Sequence, residues 1–237
     1  MSFDIRLAAC ALASLLLWGA PDARAQEPPR ASSVFMNPEA ARMAEDLAKG
    51  MPNAVLLGRS QGVPMDARGR GGMRPIHYVT AYAHERSLAS LRALANAGAD
   101  IEIADDSGRT PLGLASERRD GEATRILLGF GAQPSRPSEG KLPIAIAIEA
   151  GNKAAFEALA TSGSPLFGSG FPRGSAAREL LAASRSDWLF WMASRGMLSG
   201  RGLGADFWRE LCSDPSAAAQ SVARNLALQP QSPSCGR

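Results

Sequence analysis

Apolar residues in this chain come in short runs with helical spacing, each closed by a glycine before a polar stretch. The runs read AVLLGRSQG, LRALANAG, RILLGFG, FEALATSG and LFWMASRG. Apolar positions recurring every three or four residues predict amphipathic helices. The closing glycines are Gly62, Gly98, Gly131, Gly163 and Gly196, spaced 36, 33, 32 and 33 residues apart. A glycine just past a helix supplies the left-handed turn that a residue with a Cβ adopts only at a cost. Twelve or thirteen residues after three of these glycines stands a proline: Pro75, Pro111 and Pro143. Proline suits a first helical turn, where its missing N–H had no partner. Each unit therefore reads as a proline-led helix, a short loop, a second helix, a glycine stop and a finger-like hairpin. A period near 33 predicts a stack of small units rather than one closed core.

Several stretches carry a family resemblance. RTPLGLASERRDGEATRILLGFGAQ (109–133) resembles an ankyrin repeat, with Thr110-Pro111-Leu112 as its threonine-proline-leucine start. RPIHYVTAY (74–82) keeps the proline and His77, with Arg74 in place of the threonine. LPIAIAIEAGNKAAFEALATSGS (142–164) keeps the proline, an inter-helix Gly151 and Gly163. Upstream, residues 39–63 hold Gly50 and Gly62, twelve apart like Gly151 and Gly163. Downstream, SAARELLAASRSDWLFWMASRGM (175–197) has the length but neither the proline nor the inter-helix glycine. The resemblance covers residues 38–200. It implies an all-α solenoid of about five helix pairs, with degenerate terminal repeats that face water on one side. It also implies that His77 is a structural histidine bonding between neighbouring turns. The longer spacing before Gly98 places extra residues near Ala83–Arg86, in the turn between two helices. They are either tolerated drift or a bump that a partner touches.

The N-terminus reads as a targeting segment. Leu7 to Ala20 is an apolar stretch too short to span a bilayer, and Ala23-Arg24-Ala25 follows as a small-x-small cleavage signal. The expected mature chain starts at Gln26, after a signal peptide over 1–25, and is periplasmic or secreted. Residues 26–37 (QEPPRASSVFMN), polar with paired prolines, read as a flexible leader. Residues 201–237 read as a helical cap and tail, with Phe207, Trp208 and Leu211 on one face of ADFWRELC. Asp214 offers an N-cap and Pro215 a first-turn residue for a further helix to about Leu228. The register of the last repeat puts Trp188, Leu189 and Met192 inward, Phe190 outward and Trp191 half covered. The cap helices are expected to lie over the Phe190–Trp191 pair; the alternative is a partner anchor. Export leaves Cys212 and Cys235, and an oxidising compartment favours a disulfide between them over two free thiols.

Charge and motifs narrow the function. The formal net charge is +3, too mild for a nucleic-acid face, and no membrane insertion of the mature chain is expected. Two histidines, with no carboxylate at i+4 from either, leave zinc-site spacing absent. GSGFPRGS (168–175) lacks the lysine and spacing of a phosphate-binding loop and reads as a long finger. ARGRGG (67–72) has too few arginines for an RNA tract and also reads as a finger. Glu102, Asp105 and Asp106 read as a solvated charged tip without the desolvated cleft that acid–base chemistry needs. No catalytic residue, metal or cofactor is expected. The resemblance implies recognition through finger tips and first helices, with Arg68, Arg70, Met73, Arg74, Tyr82, Asp105, Asp106 and Arg109 as the expected contacts. The expected function is a non-catalytic module, monomeric alone, that binds another protein outside the cytoplasm. One form of it is an antidote to a toxin or hydrolase, and another is an assembly helper for a periplasmic enzyme. An enzyme with an atypical site on the fingers is the alternative of a different class.

Overall fold

The computed structural model describes residues 29–82, 87–118, 121–198 and 205–227. The expected signal peptide, His84 and the Ala83–Arg86 turn, and Cys235 lie outside the described residues. The chain divides into two units, Met1–Arg30 and Ala31–Arg237. Among the described residues the second unit holds thirteen α-helices and no strand.

A short helix α1 (Ala31–Val34) precedes five helix pairs. These are α2 (Pro38–Ala48) with α3 (Ala54–Ser60), α4 (Pro75–Tyr82) with α5 (Leu88–Asn96), and α6 (Pro111–Glu117) with α7 (Glu122–Gly129). They continue with α8 (Pro143–Ala150) and α9 (Lys153–Thr161), then α10 (Ala176–Ala182) and α11 (Ser186–Ser194). First helices stack on first helices from α2 to α10, and second helices follow suit from α3 to α9. This is the expected ankyrin-like solenoid. Pro75, Pro111 and Pro143 each begin a first helix.

The closing glycines act through backbone conformation alone. All five have positive φ, from 70° to 94°, and a Cβ on any of them would meet nothing within 4 Å. The residue after each donates its N–H to the carbonyl five positions back: Val63 to Gly58, Ala99 to Leu94, Ala132 to Leu127, Ser164 to Leu159 and Met197 to Met192. That bond closes a left-handed helix cap and satisfies carbonyls that the helix end leaves open. The accepting residues form the buried seam of the stack, since Leu94, Leu127, Leu159 and Met192 are all fully buried. In the first repeat Gly58 takes this place, because a Cβ there would fall 2.3 Å from Met43 Sδ.

Polar side chains tie one repeat to the next. Arg118 Nη1 donates to Ala81 O at 2.7 Å, at the end of α4. Asn152 Nδ2 donates to Ser116 O at 3.3 Å, at the end of α6, and Arg185 Nε donates to Ile148 O at 3.1 Å, near the end of α8. Three side chains thus cap the first helix of the preceding repeat, Asn152 and Arg185 from the start of a second helix and Arg118 from the end of α6. Asn152 also accepts from Ala155 N at 2.9 Å and so begins its own second helix. His77 does what its register predicts. Its Nδ1 accepts from Arg74 N–H and its Nε2 donates to Arg109 O, each at 3.2 Å. Gly113 stands at the same place one repeat on, where Ser138 Oγ of the next finger would lie 2.1 Å from any Cβ.

Both ends of the stack depart from expectation. Residues 31–37 are not a flexible leader: α1 packs on α2, Ala31 and Phe35 are buried, and Phe35 meets Tyr78 edge-on at 6.0 Å. The polar residues and prolines around Val34 and Phe35 hid two apolar groups that cover the open end of the seam. At the other end, α12 (Ala205–Ser213) packs on α10 and α13 (Ala217–Ala227) on α11, so the cap is a sixth pair stacked in register. It does not cover Phe190, which stays 39% exposed. Trp188, Leu189 and Met192 are buried as expected, and Trp188 stacks on Phe156 at 5.1 Å. Asp214 is not the N-cap of α13. It accepts from Ser216 N and Ser186 Oγ, while Ser216 Oγ accepts from Ala219 N and caps the helix. Pro215 accordingly lies outside the first turn.

Ser184 sits at φ 55°, where the preceding repeat has Gly151 at φ 74°. Left-handed backbone costs a residue with a Cβ about 1–2 kcal/mol, so Ser184→Gly is expected to raise stability by about 1 kcal/mol in urea denaturation. Burial holds the His77 ring below its ordinary value near 6.5. The unfolded chain therefore takes up this proton first as pH falls. The stability contributed by the neutral ring is complete above 6.5 and is lost below it. Between pH 7 and 5, wild type should lose more stability than His77→Gln, read as the pH slope of the urea midpoint.

Candidate functional site

The fingers lie beside one another because each is tied to its neighbour. Asp106 N donates to Gly71 O at 2.9 Å, Glu139 N to Gly108 O at 3.0 Å and Leu142 N to Gly170 O at 3.3 Å. Side chains add Asp100 N to Asp66 Oδ1 at 3.0 Å and Gln133 N to Glu102 Oε1 at 2.7 Å. This backbone ladder fixes the spacing of every charged group on the face.

Within that frame the expected contact residues separate into two groups. Asp105 is not a solvated tip. Its side chain is 1% exposed and accepts from Ser107 N and Arg109 N at 2.9 Å and Arg109 Nε at 2.7 Å. It is the internal staple of the second finger, and Arg109 is largely engaged by it, with Glu139 a further 3.9 Å neighbour. Arg68 is exposed and reaches across to Asp106 at 2.7 Å. Glu102 is engaged as well, 3.5 Å from Arg136. Arg70 and Arg74 differ: among the described residues neither makes an ion pair. Arg70 is exposed at the start of a single 3-10 turn, Arg70–Gly72, and Arg74 is half-buried. Met73 and Tyr82 are half-buried, with Tyr82 5.0 Å from Tyr78.

Sequence reasoning stopped at the second finger, but the charged face continues. Lys141 bonds Glu149 at 2.8 Å, and Arg173 bonds Glu179 at 3.0 Å. Glu117 ends α6; surrounding protein pushes its carboxyl above the ordinary value, while Arg109 pulls it back. A signal was present, since Arg109 and Glu117 recur one repeat later as Lys141 and Glu149, each pair eight residues apart. Among the described residues no group of three histidine, cysteine or carboxylate side chains is placed to hold a metal. No described helix is long and apolar enough to cross a membrane.

The repeated helix pairs, glycine caps and tied fingers have a counterpart among known families. Residues 56–166 match the family model described as ankyrin repeats in three copies. Ankyrin repeats are thus present in this chain, centred on the second to fourth helix pairs. Such repeats generally mediate contacts between proteins and are generally not catalytic. No curated protein matches the chain. The repeats of α2–α3 and α10–α11 extend the array beyond most of the matched stretch.

The two aspartates in adjacent positions should behave very differently. Asp105→Ala leaves three donors without their acceptor, and its expected cost is about 2–4 kcal/mol of stability. Asp106→Ala breaks only an exposed pair and should cost less than about 1 kcal/mol. Urea denaturation of both variants measures the contrast.

Proposed function

We propose that this chain is a non-catalytic protein-binding module that acts outside the cytoplasm and grips one partner through its fingers and first helices. The observation carrying this reading is the ladder between fingers. It presets the face, so little conformational freedom is lost on binding. The charge that remains is mixed and steers a partner more than it holds one. In its specific form, the partner is a toxin or hydrolase that the module blocks by covering it. Export is supported by the apolar stretch before Ala23-Arg24-Ala25. Pairing of Cys212 with Cys235 belongs to the same reading, because an oxidising compartment favours a disulfide over two free thiols.

A photocrosslinking amino acid at Glu139, exposed in the third finger, is expected to capture one partner protein in the extracytoplasmic fraction. The same group at Arg125, exposed on α7, should capture none. The protein recovered from that fraction should begin at Gln26 and react with a thiol reagent only after reduction. Capture from Arg125 alone would overturn the proposed face, and a chain retained in the cytoplasm with residues 1–25 intact would overturn export.

A further inference from the structure

Among the described residues the fingers carry seven cations, and the structure gives five of them an internal anion. Arg68 has Asp106, Arg109 has Asp105, Arg136 has Glu102, Lys141 has Glu149 and Arg173 has Glu179. Arg70 and Arg74 are the two without an ion pair among the described residues. Both belong to the first finger, whose tip closes on itself through Gly69 N–H to Met73 O at 2.7 Å. That closure holds the two arginines on one tight loop. Arg74 Nε is shielded from water and meets no acceptor. That N–H has given up hydration without receiving an acceptor in return, while the residue as a whole stays half-buried.

We propose that Arg70 and Arg74 are the docking point for an acidic segment of the partner protein, one that presents neighbouring aspartate or glutamate side chains. This rests on the binding-module reading and deepens it. The half-buried Met73, between the two arginines in sequence, gives such a segment an apolar contact beside its carboxylates. Polarity along the face fits a protein segment better than a nucleic acid. Asp106 lies within bonding distance of the same finger, and Glu117 and Glu139 follow in the next repeats. A phosphate chain running along these fingers would meet those carboxylates after two cations, whereas a folded partner can place opposite charge at each.

The test is fluorescence anisotropy with fluorescein-labelled octaglutamate at low ionic strength, with an eight-nucleotide oligothymidylate as the competing class of ligand. Wild type should bind octaglutamate, and added salt should weaken it. R70Q/R74Q should weaken binding about tenfold and R70Q alone about threefold. R68Q/D106N removes an internally neutral pair and should stay within about twofold. The proposal is overturned if octaglutamate does not bind, or if R68Q/D106N costs as much as R70Q/R74Q. Tighter binding of oligothymidylate than of octaglutamate also overturns it, in favour of nucleic acid. Capture from Glu139 reads the wider proposal separately. If that capture succeeds while octaglutamate fails, only the acidic-segment assignment falls.

Discussion

Helices of seven to eleven residues do not persist alone in water, so this unit exists only because successive pairs share one apolar seam. Leu94, Leu127, Leu159 and Met192 mark that seam on the second helices, each four residues before a closing glycine and each fully buried. The glycine and the seam residue are mechanically linked. The left-handed turn lets the next N–H fold back onto the seam residue's own carbonyl, so helix end and core position are fixed together. A seam of this kind has two open ends. Val34 and Phe35 cover one, and the stacked pair α12–α13 covers the other.

Polar bonds give the stack its register, which apolar contact alone would leave loose. Asn152 joins two elements at once: it starts α9 and bonds the end of α6 from a fully buried position. Arg118 and Arg185 cap the preceding repeat in the same way, and His77 stitches the start of α4 to the next finger. These groups explain how an open face of fingers and first helices can still hold its side chains in fixed places.

The same economy shapes what the face offers. Most charged residues on it are consumed by bonds within and between repeats, and Asp105 and Glu102 belong to the scaffold as much as any leucine does. A cation count alone overstates the positive potential, because five of the seven described finger cations face an internal carboxylate. The surplus sits at the first finger and the uncompensated acid further along. An uneven distribution of this sort orients a partner even where the net charge of the chain is small.

The glycine period, the proline starts, the role of His77 and the inward side of Trp188, Leu189 and Met192 were all legible in the amino-acid order. Each is a local property: a left-handed turn, a fixed φ or a helical period is written in a few neighbouring residues. The expected contact list was legible only in part. Arg68 and Asp106 are 38 residues apart, and nothing near either one announces the other. The use of Phe35 as a lid and the in-register stacking of the C-terminal pair also depend on neighbours from other repeats. Only the stacked structure settles which charges are consumed and which ends are covered, because those outcomes are decided by proximity across repeats and not along the chain.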